Sequence, residues 1–111
     1  MKKFVVLYMA PMSAMEQRAK VTDAQAKAEM DAWMKWAKKN EKAIVDNGAP
    51  FGKTTKVTSA GVSAGKNEIT GYSIVQGESP ESVAKIFAAH PHLKMKGASI
   101  EVLENLTMPG M

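Results

Sequence analysis

Between Ile69 and Phe87 the apolar residues change their period, and that change restricts the chain to folds that mix strands with helices. From Ile69 to Val75 the side chains alternate. Ile69, Gly71, Ser73 and Val75 share one face, and Thr70, Tyr72 and Ile74 share the other, as a strand requires. The small residues on the first face permit close packing or a cavity. Ser79, Pro80 and Glu81 then open a helix with a hydroxyl N-cap, proline at the first helical position and an acid in the first turn. Val83, Ile86 and Phe87 face inward from that helix, and His90 with Pro91 ends it.

The same signals organise the rest of the chain. Phe4 to Met9 is an apolar run rich in Phe, Val and Tyr, which predicts a central strand covered on both faces. Lys2 and Lys3 before it faintly imitate the start of a secretory signal, but the run is too short to prefer that reading. Residues 10 to 21 show no clear period and predict a loop with one helical turn, placed to overhang a pocket. Thr22 and Gln25 form a capping box, and Asp23 suits the first turn. Ala26, Met30, Trp33, Ala37 and Ile44 recur at helical spacing, which predicts a helix from Asp23 to Asp46, stopped by Asn47, Gly48 and Pro50. Phe51 to Val75 carries Thr, Ser, Val and turn glycines, and reads as two or three short strands. After Gly97, Ala98, Ile100 and Val102 alternate as a final strand, and Asn105 to Met111 reads as a frayed tail or an arm.

Composition narrows the function classes. A chain of 111 residues with 45% hydrophobic and 23% charged residues is one ordinary globular domain. It has no cysteine, which excludes disulfides, thiolate catalysis and cysteine metal sites. No stretch approaches the ~20 apolar residues of a membrane helix. The formal charge is +4, and lysines cluster at 35, 38, 39 and 42 with Arg18 as the one arginine. Lysines without planar guanidinium donors or interleaved aromatics make a solvated helix face a better reading than a nucleic-acid surface.

The element order is strand, long helix, strands, short helix, strand, which is the split β-α-β pattern of an antiparallel α+β domain with both helices on one face. The opposite, apolar sheet face then needs a cover, and a second copy of the chain is the natural one.

The stretch Ile69 to Leu103, ITGYSIVQGESPESVAKIFAAHPHLKMKGASIEVL, resembles the carboxy-terminal half of the YCII-related (DGPF) proteins, and MKKFVVLYM with the tryptophan-bearing helix ending in NGAP is similar to that family's start. The resemblance implies a ferredoxin-like fold and a homodimer joined through the sheet, the dimeric α+β barrel. The chain departs from the family in the middle, where Ser59, Ala60, Gly61 and Val62 stand at the DGPF positions. Smaller relatives carry a proposed histidine and aspartate pair in a region that falls here near Met30 and Asp31, without the histidine. Asp31 alone, with an ordinary pKa of ~3.9 against ~6.5 for histidine, cannot rebuild that relay.

Candidate site residues follow from residue chemistry. His92, in the Pro91-His92-Leu93 triplet that matches the family, is the candidate acid, base or hydrogen-bond anchor, against a plain reading as a loop cap. His90 and His92 form an HxH pair that lacks the third and fourth ligands a metal needs. Trp33 and Trp36 are candidate pocket walls, although tryptophans at helical spacing are mostly core. Tyr72 offers a phenol and Ser73 a small hydroxyl toward the expected cavity. The nine methionines, Met30 among them, suit an adaptable apolar lining or simple gap filling. No phosphate loop, nucleotide fingerprint or serine elbow is present.

The expected function is a cytoplasmic homodimer that binds a small apolar or aromatic metabolite between sheet and long helix, with no cofactor, no membrane and no nucleic acid. Two alternatives stand beside it. One is a cofactor-free enzyme of monooxygenase, isomerase or lyase type using His92, Tyr72 or Asp31, and the other is a structural or regulatory interaction module.

Overall fold

A computed structural model describes residues 1–107. The elements are β1 (Lys2–Met9), α1 (Ala14–Ala19), α2 (Asp23–Lys39), β2 (Ile44–Pro50), β3 (Thr54–Thr58), β4 (Gly61–Gly65), β5 (Ile69–Gly77), α3 (Pro80–Phe87), a single 3-10 turn (Pro91–Lys94) and β6 (Ser99–Glu104). Four strands form an antiparallel sheet in the order β2-β5-β1-β6, while β3 and β4 pair only with each other as a hairpin. The chain is therefore an α+β domain with β1 inside its main sheet.

One face of that sheet makes the core. Phe4, Val6 and Tyr8 of β1 and Val75 of β5 are buried with Val83 and Phe87 of α3, and Trp33 and Trp36 of α2 pack against them. At 20 Å across its thinnest dimension, the molecule has room for one helix layer on a sheet and no second layer. The alternate residues of β1, Val5, Leu7 and Met9, are half-buried on the far face, so the strand is covered on one side where its apolar run predicted two.

The capping boxes of α2 and α3 form as the residues dictate, with Thr22 accepting from the Gln25 N–H at 3.1 Å and Ser79 from the Ser82 N–H at 3.2 Å. A third box, Ser13 with Glu16, starts α1 inside the segment expected to be a loop with one turn.

The long helix ends seven residues before the expected stop. Its last residue is Lys39, and Asn40 caps it by donating its side-chain amide to the Trp36 carbonyl at 2.9 Å. The apolar stripe explains the end: after Ala37 the next inward positions are Asn40 and Glu41, which give the helix nothing to bury. Ile44 is thus the first residue of β2 and not the last rung of the helix. Gly48 does adopt a left-handed conformation, φ 72°, but inside a bulge of β2 where the register against β5 shifts between Asp46 and Ala49. Thr70, expected beside Tyr72 and Ile74, is instead buried, because β1 and β5 shift register between Tyr8 and Met9. Asn105 extends the pairing of β6 by donating its backbone N–H to the Lys3 carbonyl, whereas the end of the expected tail, residues 108–111, lies outside the described residues.

Among the described residues, no helix is long and apolar enough to cross a membrane.

Candidate functional site

The β2 bulge opens a cleft of about 620 Å3 between α2 and the core face of the sheet, a volume within the range of small-molecule sites. Its floor is made by Tyr8, Thr70 and Ser73, its helical wall by Met30, Trp33 and Trp36, and one end by Asn47 to Pro50. A smaller cleft of about 480 Å3 lies against Trp33 and His92 as well, toward α1 and the 3-10 turn.

The floor is a directed hydrogen-bond chain. Ser73 donates its hydroxyl to the Asn47 carbonyl at 2.9 Å. Having one proton to give, it accepts from the Tyr8 hydroxyl at 2.8 Å. Thr70 donates to the Tyr8 carbonyl at 2.8 Å. Burial raises the pKa of the Tyr8 phenol above its ordinary value of 10.0, with the Ser73 hydrogen bond opposing, so the phenol stays protonated at neutral pH. The bulge supplies the last link: Gly48 lies so close to β5 that a Cβ there would run into the Tyr72 carbonyl oxygen, and the Asp46 carboxylate accepts from the Gly48 N–H at 2.8 Å.

His92 projects from the 3-10 turn and is 6% exposed. Its Nε2 stands 2.8 Å from the Met9 carbonyl. A carbonyl only accepts, so Nε2 carries a proton, and the tautomer this bond selects has its lone pair at Nδ1. Nδ1 makes no hydrogen bond within the protein, and it is not among the sealed polar atoms.

Behind this ring, His90 plays a different part. Its Nδ1 accepts the His92 backbone N–H at 3.0 Å, which leaves its own proton on Nε2, buried without a hydrogen-bond partner. Aromatic rings enclose it: Trp33 at 4.3 Å and perpendicular, Trp36 at 4.5 Å, Tyr8 at 5.1 Å and Phe87 at 5.7 Å between centroids. Burial first, and the charge of His92 second, lower its pKa to about 4, so His90 is neutral at physiological pH. The two histidines of the HxH pair are committed to separate backbone groups, and among the described residues no three His, Asp or Glu side chains gather as a metal-binding group.

Of the residues singled out in the sequence, Met30, Trp33, Trp36, Ser73 and His92 line the cleft. Trp36 is fixed there by donating its indole N–H to the Ile86 carbonyl at 3.2 Å, which ties α2 to α3. Two candidates lie elsewhere. Tyr72 is on the far face of the sheet, its ring stacked on Phe51 at 5.4 Å, because the alternation that turns Ser73 inward turns Tyr72 outward. Asp31 is exposed on α2, outside the cleft lining. The four residues at the DGPF positions, Ser59 to Val62, form the exposed tip of the β3–β4 hairpin, also away from the cleft.

Tyr8 and Asn47 are site residues that the sequence reading missed. Tyr8 was legible in principle as the one polar-headed side chain on the buried face Phe4, Val6, Tyr8. Asn47 acts through its backbone carbonyl and left no side-chain signal. The only arginine, Arg18, stands at the cleft on the α1 side, held at 2.6 Å by Asp23.

No family model matches the chain and no curated protein matches it, so the functional reading is carried by the geometry of the cleft.

Proposed function

We propose that this chain binds a small planar aromatic or apolar metabolite in the cleft between α2 and the sheet, as a YCII-related protein of ferredoxin-like fold that works as a cytoplasmic homodimer. The observation that carries the binding reading is the cleft itself, walled by Trp33 and Trp36 and floored by Tyr8, with a polar atom of His92 left unbonded at its edge. Aromatic walls favour a flat ligand, since ring stacking adds about 0.5–1.5 kcal/mol beyond the area buried. The fold reading is supported by the strand order, in which β1, β2, β5 and β6 with α2 and α3 make a β-α-β-β-α-β unit and the β3–β4 hairpin is an insertion.

Titration with 2-methylnaphthalene, an apolar probe of suitable size, followed by calorimetry, tests the reading. Saturable binding is expected, weakened about tenfold or more in Trp33→Ala, because the lost indole removes one wall. Binding that is absent, or unchanged in the variant, contradicts it.

The dimer rests on the far face of the sheet. Val5, Leu7, Tyr72 and Ile74 pair across β1 and β5 there, with Leu103 beside them on β6, and they remain partly exposed although Phe51 stacks on Tyr72. An apolar sheet face of this kind buries itself against a second sheet. Ile74→Lys places a charge at its centre, and the expected result by analytical ultracentrifugation is a dissociation constant raised by about 30-fold or more, or a monomer. An unchanged dimer would show that this face is not the interface.

A further inference from the structure

On the floor of the cleft and at its His92 edge, the polar atoms are not balanced between donors and acceptors. The three hydroxyls of the floor have each given away their one proton: Tyr8 to Ser73, Ser73 to the Asn47 carbonyl, and Thr70 to the Tyr8 carbonyl. The Trp36 indole N–H is spent on Ile86, and the Gln17 amide donates to the Met12 carbonyl at 2.8 Å. His92 has given its Nε2 proton to Met9. What the floor and its His92 edge still offer is acceptors, chiefly the Nδ1 lone pair and the lone pairs of the Tyr8 phenol oxygen, which accepts no bond within the protein. Donors left over belong to the walls and the open end and not to the floor: the Trp33 indole N–H, the guanidinium of Arg18, the second amide N–H of Gln17 and the side-chain amide of Asn47.

We infer that the ligand is a planar aromatic carrying a hydroxyl or N–H donor, and that His92 Nδ1 accepts that proton in a hydrogen bond. This rests on the cleft being the binding site and adds the ligand's polar chemistry to it. The Met9 carbonyl is what makes His92 selective. By holding the proton on Nε2, it fixes the tautomer in which Nδ1 can only accept, so a ligand that presents an acceptor at that point meets a lone pair. The Tyr8 phenol behaves likewise, because its proton is committed to the chain that ends at Asn47. A ligand without a donor leaves these acceptors facing an apolar surface, which costs affinity.

The test compares 2-naphthol with 2-methylnaphthalene, in which a methyl group replaces the hydroxyl at nearly constant shape. The naphthol is expected to bind about fivefold more tightly, the worth of one neutral hydrogen bond. In protein labelled with 15N at histidine, the Nδ1 resonance of His92 is expected to shift on adding naphthol while Nε2 keeps its Met9 bond. His92→Leu is expected to bring the two affinities together; the wild-type resonance decides the matter if that variant does not fold. Equal affinities with a still Nδ1 resonance overturn the inference and leave the cleft as an apolar site. No binding of either compound overturns the cleft reading as well.

Discussion

Gly48→Ala is expected to lower stability by about 3–4 kcal/mol, a drop of roughly 15 °C in Tm, and to abolish binding in the cleft at the same time. Two costs combine. Alanine pays for the left-handed backbone at φ 72°, and its Cβ collides with the Tyr72 carbonyl oxygen, which is backbone and cannot turn aside. The strand has to move off β5, and the Asn47 carbonyl moves with it, so Ser73 loses its acceptor and the Tyr8 chain loses its direction. Gly52→Ala is the control, since a Cβ there meets nothing and its effect is expected to stay within about 0.5 kcal/mol. Thermal melting of both variants checks this, and a Gly48→Ala protein as stable as Gly52→Ala would remove the bulge from the account.

Acid is expected to destabilise the protein through His90. In the unfolded chain this histidine titrates near its ordinary 6.5, whereas the folded value is about 4. Between those values the unfolded state binds more protons, so stability falls as pH falls. The contribution of the neutral, buried ring is fully present above about pH 6.5. By pH 4 about 3 kcal/mol of it is lost. His90→Asn isolates the effect, because the asparagine oxygen can still accept the His92 N–H and does not titrate. The variant is less stable at pH 7, having lost a ring from the aromatic box, but its denaturant midpoint is expected to fall less steeply between pH 6.5 and 4. Carboxylates titrate in both proteins and cancel in the comparison. Parallel pH profiles would mean that the ring is protonated without penalty.

Much of the architecture was legible because local chemistry and global packing agree. The Thr22 and Ser79 caps start helices where their hydroxyls meet free N–H groups, and the expected alternation holds in β5 from Gly71 to Val75, broken only at Thr70 by the register shift. The end of α2 was misplaced because Asn47 and Gly48 imitate a helix stop, while the polar pair Asn40 and Glu41, which breaks the apolar stripe, is a weaker mark than a glycine. The same confusion hid the site, since the Gly48 bulge that carries Asn47 to Ser73 depends on register across two strands that are far apart in sequence. Trp33, Ser73 and His92 could be named from residue type and face, yet Tyr72 could not be told from its neighbours until the pairing of β5 with β1 decided which side faces the helices. His90 looked like a helix end, and only the fold shows it as a buried ring held by four aromatic neighbours.

The most direct test of the cleft as a ligand site is a crystal structure of the chain with 6-bromo-2-naphthol, located by the anomalous signal of its bromine. One bromine peak is expected between α2 and the sheet, with the naphthol ring against Trp33 and Tyr8 and its hydroxyl toward His92 Nδ1. A peak on the far face of the sheet beside Tyr72 and Phe51, or no peak in the cleft at saturating ligand, would contradict it.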